Sequence, residues 1–193
     1  MKKMGCLAVA GVLVVLALWG VASYNGLVGA QQAVEAQWAQ VENVYQRRAE
    51  LIPNLVATVK GAANFEQETL TKVIEARSAA VTATERGPGN AAQAAQAENF
   101  LTGALRQLFA LVEAYPDLKS NQNVLALQEE LTTTENQIGF SRQHYNSTVR
   151  EFNTAIQTFP NVLIAGMFGF RERDYFQIAE ADAAVPEVNL RTT

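Results

Sequence analysis

The 193 residues carry 15 basic and 19 acidic side chains, one histidine and one cysteine. That balance offers no basic patch for nucleic acid and no strong polyanion character. With His144 and Cys6 as the only such residues, a His-rich metal site, a Cys-ligated zinc and a disulfide within the soluble part are excluded.

Lys2 and Lys3 precede an apolar run over residues 4–22, and no charged residue follows until Glu35. The run supplies the roughly 20 apolar residues that a bilayer core requires, and Trp19 and Tyr24 stand where aromatic rings favour the water boundary. This predicts a transmembrane anchor over residues 1–23, with the two lysines cytoplasmic and the rest of the chain outside the cytoplasm. A cleaved signal peptide is the alternative, with Gly20 and Ala22 at the positions a peptidase reads before Ser23. Against it, the run is longer than a usual signal core, and Gly20 replaces the preferred alanine. Cys6 has no hydrophobic segment ahead of it to serve lipidation, so it reads as a small apolar residue of the span. Ala22, Gly26 and Ala30 form a row of small residues through which two copies could approach.

Beyond the anchor, Val34, Trp38, Val41, Tyr45, Ile52, Leu55 and Val59 recur at steps of three and four. This is the seam of a helix packed in bundle or coiled-coil fashion and continuous with the anchor. Pro53 should kink that helix without ending it, because the apolar phase resumes at once, and Gly61 should stop it. Asn64 with Gln67 resembles a capping box opening a second helix, whose seam is Leu70, Val73, Ile74, Arg77 and Val81 and whose end lies near Arg86.

The sequence RGPGN at 86–90 is a loop, with Asn90 free to cap a third helix that runs to about Tyr115. Its seam is Ala94, Ala97, Leu101, Leu105, Leu108 and Val112. Pro116 breaks it, and Ser120 can cap a fourth helix whose seam runs Val124, Leu127, Leu131, Ile138, Tyr145, Val149, Phe152, Ile156 and Phe159. The first and fourth helices are long and mutually matched, and no segment alternates like a half-buried strand. The expected fold is therefore all-α: an N-terminal transmembrane helix, then an elongated antiparallel four-helix bundle over residues 24–176. FPNVLIAGMFGF at 159–170 is too short to span a bilayer, and either packs on the base of the bundle or rests in the membrane interface. Residues 177–193 form an acidic tail without a core pattern, expected to be disordered.

No catalytic, cofactor-binding or metal-ligating constellation can be assembled. A Ser-His-Asp triad would have to use His144, which lies inside the fourth helix between Arg142 and Tyr145 and reads as a surface or flanking residue. The glycines of the 86–90 loop follow no strand, so they do not form a phosphate-binding fingerprint. A di-metal carboxylate centre needs a histidine on each of two helices. Two charges do fall on seams: Arg48 between Tyr45 and Ile52, and Glu135 between Leu131 and Ile138. Paired in a core they would set helix register, and stranding either would cost roughly 3–5 kcal/mol. Alternatively each slips to the edge of its seam and snorkels.

The stretches YNGLV (24–28), WAQVENVYQRRAELIPNLV (38–56), VKGAANFE (59–66), EAR (75–77), ENQIGFSRQHYN (135–146) and FPNVLIAGMFGF (159–170) resemble, in order, the LemA family of bacterial membrane proteins. Glu50 stands where the family has aspartate as often, and Ala62 and Ala63 where an aromatic is common. The resemblance implies a single N-terminal transmembrane helix and an all-helical domain, with no established enzymatic activity and no known cofactor. The expectation is a non-enzymatic, single-pass protein of the bacterial cytoplasmic membrane, a scaffold or membrane-surface assembly element. Its expected partners are the lipid bilayer and unidentified proteins, with a second copy of the chain as one option, but no nucleic acid. The alternative is a sensor or ligand-binding module taking an anionic small molecule at Arg47, Arg48 or Arg77, since a guanidinium fork suits such a ligand.

Overall fold

The computed structural model describes residues 2–61 and 66–176, with side chains from residue 10 onward. Asn64 of the expected capping box, Ala62 and Ala63, the side chains of Lys2, Lys3 and Cys6, and the 177–193 tail lie outside the described residues. Among the described residues all regular structure is helical. The helices are α1 (Lys2–Lys60), α2 (Gln67–Thr84), α3 (Ala91–Val112), α4 (Pro116–Lys119), α5 (Gln122–Gln157) and α6 (Asn161–Phe168).

α1 is one helix of 59 residues. Its lower part, from Val12 to Leu18, exposes apolar side chains that no other described residue covers, and this helix is long and apolar enough to cross a membrane. From Leu27 upward one face turns into the core, and Val34, Trp38, Val41, Tyr45, Ile52, Leu55 and Val59 are all buried as their spacing predicts. Pro53 sits inside the helix and does not end it. Proline has no N–H, so the carbonyl four residues back loses its helical donor. That carbonyl belongs to Ala49, and Arg77 of α2 replaces the missing donor with an Nε–H bond of 2.6 Å.

α5 runs antiparallel beside α1, so that Trp38 meets Tyr145 at 5.6 Å and, further out, Arg47 meets Glu130 at 2.6 Å. α2 and α3 form a hairpin over the outer half of this pair. Its turn needs the left-handed backbone of Gly87, at φ +80°, and Tyr145 pins it by donating its hydroxyl to the Pro88 carbonyl at 3.2 Å. Three local expectations are corrected here. α2 turns Ala76, Ala80 and Ala83 inward and leaves Ile74 half exposed, because its close neighbour α3 also presents small residues, Ala91, Ala94 and Ala95. Asn90 precedes α3, but its amide donates back to the Arg86 carbonyl instead of capping. Asn121, not Ser120, caps α5 by accepting from the amides of Asn123 and Val124, since the short helix α4 takes up Ser120.

The inner half of the α1–α5 pair is covered by the chain that follows α5. Here α6 lies against the lower part of α1, and an extended strap, residues 171–176, climbs back along α5. Two asparagines hold the strap as a neighbouring strand would. Asn153 donates to the Arg173 carbonyl and accepts from its amide, both at 2.9 Å, and Asn146 does the same for Phe176 at 2.9 and 2.8 Å. Seven helical residues rise about 10.5 Å and three extended residues span roughly 10 Å, so both clamps close together. Phe176, which sequence reasoning assigned to the end of the core pattern, is buried and stacks on Trp38 with ring planes 3° apart.

If Arg77 substitutes for the donor lost at Pro53, Arg77→Met should destabilise the protein by about 1–3 kcal/mol through an unsatisfied carbonyl. Pro53→Ala, which restores the N–H, should be distinctly more stabilising in the Arg77→Met background than in the unaltered chain. Chemical unfolding of the four variants in detergent micelles measures this, and equal effects of Pro53→Ala in both backgrounds would break the link.

Candidate functional site

Two apolar clusters fill the helical body. The inner one contains Val34, Trp38, Tyr145, Val149 and Phe152, and the outer one Ile52, Leu55, Leu101, Leu108 and Leu131. A polar layer separates them. Arg48 occupies the step between Tyr45 and Ile52 on α1, Glu98 the step between Ala95 and Leu101 on α3, and Thr134 the step between Leu131 and Ile138 on α5; all three are buried. Arg48 Nη1 donates to Glu98 Oε2 at 3.3 Å, with both side chains under 4% exposed (3% and 2%). Thr134 satisfies its hydroxyl within its own helix, donating to the Glu130 carbonyl at 2.8 Å.

The expected partner of Arg48 is thus corrected from Glu135 to Glu98. Between Leu131 and Ile138 the seam of α5 passes through Thr134, which leaves Glu135 one position off, half exposed and 3.7 Å from Arg106. Glu98 carried a readable signal, standing four residues after Ala94 and three before Leu101, yet a carboxylate among alanines does not announce a core position.

Arg142 extends the layer sideways. Its Nε donates to Tyr45 Oη at 2.6 Å, its Nη1 donates to Asn99 Oδ1 at 3.2 Å, and its guanidinium lies over the rings of Tyr45 and Phe176 at 5.4 and 5.5 Å. Burial pushes the Glu98 carboxyl above its ordinary range, although the Arg48 and Arg142 charges draw it back. Burial likewise raises the Tyr45 phenol against the pull of Arg142, and lifts Tyr145 to about 12. Arg48 Nε has no hydrogen-bond partner, so the layer is not fully satisfied.

A cavity of about 260 Å³ adjoins this layer, lined by Glu42, Tyr45, Glu50, Arg77, Glu85 and Glu98 among others. Its walls set four carboxyl groups against one guanidinium, a poor environment for an anion. The three arginines considered for an anionic ligand are each engaged: Arg47 with Glu130, Arg48 with Glu98 and Arg77 with the Ala49 carbonyl. His144 is exposed, its ring 4.5 Å from that of Phe140. Among the described residues no group of three or more His, Cys, Asp or Glu side chains is placed to hold a metal ion. In the small-residue row, Ala22 and Gly26 are exposed and Ala30 is partly buried against the inner cluster.

A family model described as LemA family matches residues 37–190. The chain is similar to magnetosome protein MamQ of Magnetospirillum gryphiswaldense, 26% identical over 174 residues that cover 79% of this chain and 64% of that protein. It is similar to magnetosome protein MamQ 2 of Paramagnetospirillum magneticum, 26% identical over 175 residues, covering 80% and 64%. Protein LemA of Metamycoplasma hominis is 26% identical over 158 residues, covering 82% of this chain and 70% of that one. The chain therefore spans just under two thirds of the length of the magnetosome relatives.

Arg48→Met and Glu98→Leu should each cost about 3–5 kcal/mol, because each strands a buried charge, while the double variant should recover most of that loss. Glu135→Leu should cost less than about 1 kcal/mol, as for any half-exposed pair. The raised Glu98 carboxyl also has a pH signature. Above the ordinary value of 4.5 the native state keeps this proton more readily than the unfolded chain. Its contribution to stability is therefore largest at acid pH and falls as pH rises through the raised value. Unfolding midpoints measured across mildly acidic pH should lose that slope in Glu98→Gln.

Proposed function

The chain belongs to the LemA family, and from that premise we propose that it is a membrane-anchored, non-enzymatic helical protein working as a protein-interaction scaffold or membrane-surface assembly element. The observation that carries this reading is the continuity of α1. One helix passes from an uncovered apolar run into the core of the helical body without a flexible joint. A segment exposing Leu13, Val15 and Leu18 to water would be costly over its whole length, and a bilayer removes that cost. We assign residues 1–23 to the anchor and 24–176 to the body, read as an elongated antiparallel four-helix arrangement. The antiparallel α1–α5 pair and the α2–α3 hairpin support it.

The interior chemistry points the same way. Arg48, Arg77 and Arg142 donate to Glu98, to a backbone carbonyl and to Tyr45 and Asn99, so these buried and half-buried cations maintain the fold. A rigid body with its polar interior committed to structure suits a task performed through surfaces. That some relatives are named for magnetosomes and another only as LemA fits a general structural role. Lys2 and Lys3 at the start of the span support an orientation with the N-terminus in the cytoplasm and the body outside it.

Crosslinking in the native membrane followed by mass spectrometry should recover protein crosslinks from the helical body, either to another copy or to a defined partner. A protein that fractionates as soluble, or that purifies with turnover abolished by one polar substitution, would overturn the reading. A phosphatase fused after Phe176 should be active, and an inactive fusion would reverse the orientation.

A further inference from the structure

α6 is mostly apolar along NVLIAGMF, yet only Ile164 and Ala165 are buried against the body. The rest of this segment faces outward, with Met167 75% exposed, Leu163 59% and Phe168 57%; just before it Phe159, expected on the seam of the fourth helix, lies past the end of α5 and is 75% exposed. A patch of this kind is unusual on a surface that meets only water. Its height along α1 decides what covers it. Ile164 Cδ1 lies 4.0 Å from the position a side chain on Gly20 would occupy, and Tyr24 packs on Phe168 with ring centroids 4.7 Å apart. α6 therefore stands level with residues 20–24, the last turn of the apolar run and the first residues beyond it. Taking the hydrocarbon boundary near Ala22, Gly20 lies about 3 Å inside it and Tyr24 about 3 Å outside. The exposed face of α6 is thus continuous with the apolar surface of α1 at the same depth.

The residues just after α6 change character at the matching height. Arg171 and Arg173 border a cleft that also includes Tyr24, Gln31 and Gln32 of α1, on the water side of α6. Arg173 approaches Glu35 at 3.8 Å, Glu172 is held by Gln157, and Arg171 is exposed. An apolar element bordered by an aromatic ring and then by arginines has the layering of a bilayer leaflet: acyl chains, interface, phosphates.

We propose that α6 is a second lipid-contacting element, seated in the leaflet at the outer end of the α1 span with Phe159, Leu163, Met167 and Phe168 among the acyl chains and Arg171 at the level of the phosphates. This rests on α1 crossing the bilayer, and the test separates the two claims. The full chain with Cys6→Ser is reconstituted at low density in phosphatidylcholine vesicles. An environment-sensitive fluorophore is attached to Leu163→Cys, to Leu13→Cys as the span reference, or to Phe100→Cys as the body reference. All three positions are exposed on the protein, so labelling leaves the fold intact, as circular dichroism checks.

The probe at 163 should emit to the blue of the probe at 100, lose emission to a nitroxide carried high on the lipid acyl chain, and resist aqueous iodide, while the probe at 13, about 13.5 Å inside the boundary, is read with a nitroxide near the end of the acyl chain. Quenching at 13 with a water-like, iodide-accessible probe at 163 overturns the α6 proposal and leaves the anchor standing. Nitroxide quenching at neither position overturns both, and quenching at 163 alone removes the α1 span and with it the proposal as stated, leaving only lipid contact at α6. A probe at 163 that is shielded from iodide yet insensitive to nitroxide lipid means that protein covers α6, which also overturns the proposal.

Discussion

Arg48 sits where two apolar clusters meet, with the Glu98 carboxylate 3.3 Å away as its ionic partner. Such a pair contributes little net stability, because removing both charges from water costs about as much as their attraction returns. Its effect is on register. Seams built from steps of three and four can slide past one another by seven residues and still match apolar to apolar, but a charge at one level of each helix permits a single alignment. With α1 and α3 aligned there, α2 is placed by its hairpin, and Arg77 arrives at the carbonyl that Pro53 leaves open. Because α1 is unbroken, the alignment at Arg48 is carried to Gly20, 28 residues lower and about 42 Å away.

The same economy governs the irregular segments. At several places where regular backbone bonding lapses in this body, a side chain on a helix supplies the bond that a strand or a helical turn would have made. Arg77 replaces an amide for the Ala49 carbonyl, Tyr145 donates to the Pro88 carbonyl, and Asn146 and Asn153 give the strap both a donor and an acceptor. Unpaired backbone groups in these half-buried places would each cost on the order of 1–3 kcal/mol. The polar residues of the interior named here are therefore occupied by backbone accounting and by the charge layer.

The parts legible in the sequence are those governed by local periodicity. Every seam residue from Val34 to Val59 on α1 is buried, and so are Tyr145, Val149, Phe152 and Ile156 on α5, since an apolar stripe at helical spacing has only one face to bury. What was misread depends on neighbours distant in the chain. On α2, Ile74 and Val81 are more apolar than alanine, but the tight approach of α3 selects Ala76, Ala80 and Ala83. On α5 the choice between Thr134 and Glu135 turns on less than a third of a helical turn. Thr134 wins because a small side chain that bonds its own helix fits the layer already occupied by Arg48 and Glu98. The strap is not legible in the sequence, because an asparagine clamp needs two residues a heptad apart and an extended segment 20 to 30 residues later, with no signal in either alone.

A single helix through a bilayer fixes height but leaves rotation about its own axis free. A second contact displaced by one helix packing distance, 8–10 Å, turns a pivot into a footing. α6 is joined to α5 by a three-residue turn and to the core by the strap, so any hold that lipid has on α6 is passed to the long helices without slack. Seated in this way, the body would present one constant face along the membrane and another away from it. That geometric condition is needed by an element that works by positioning other molecules, and a freely swivelling rod does not meet it.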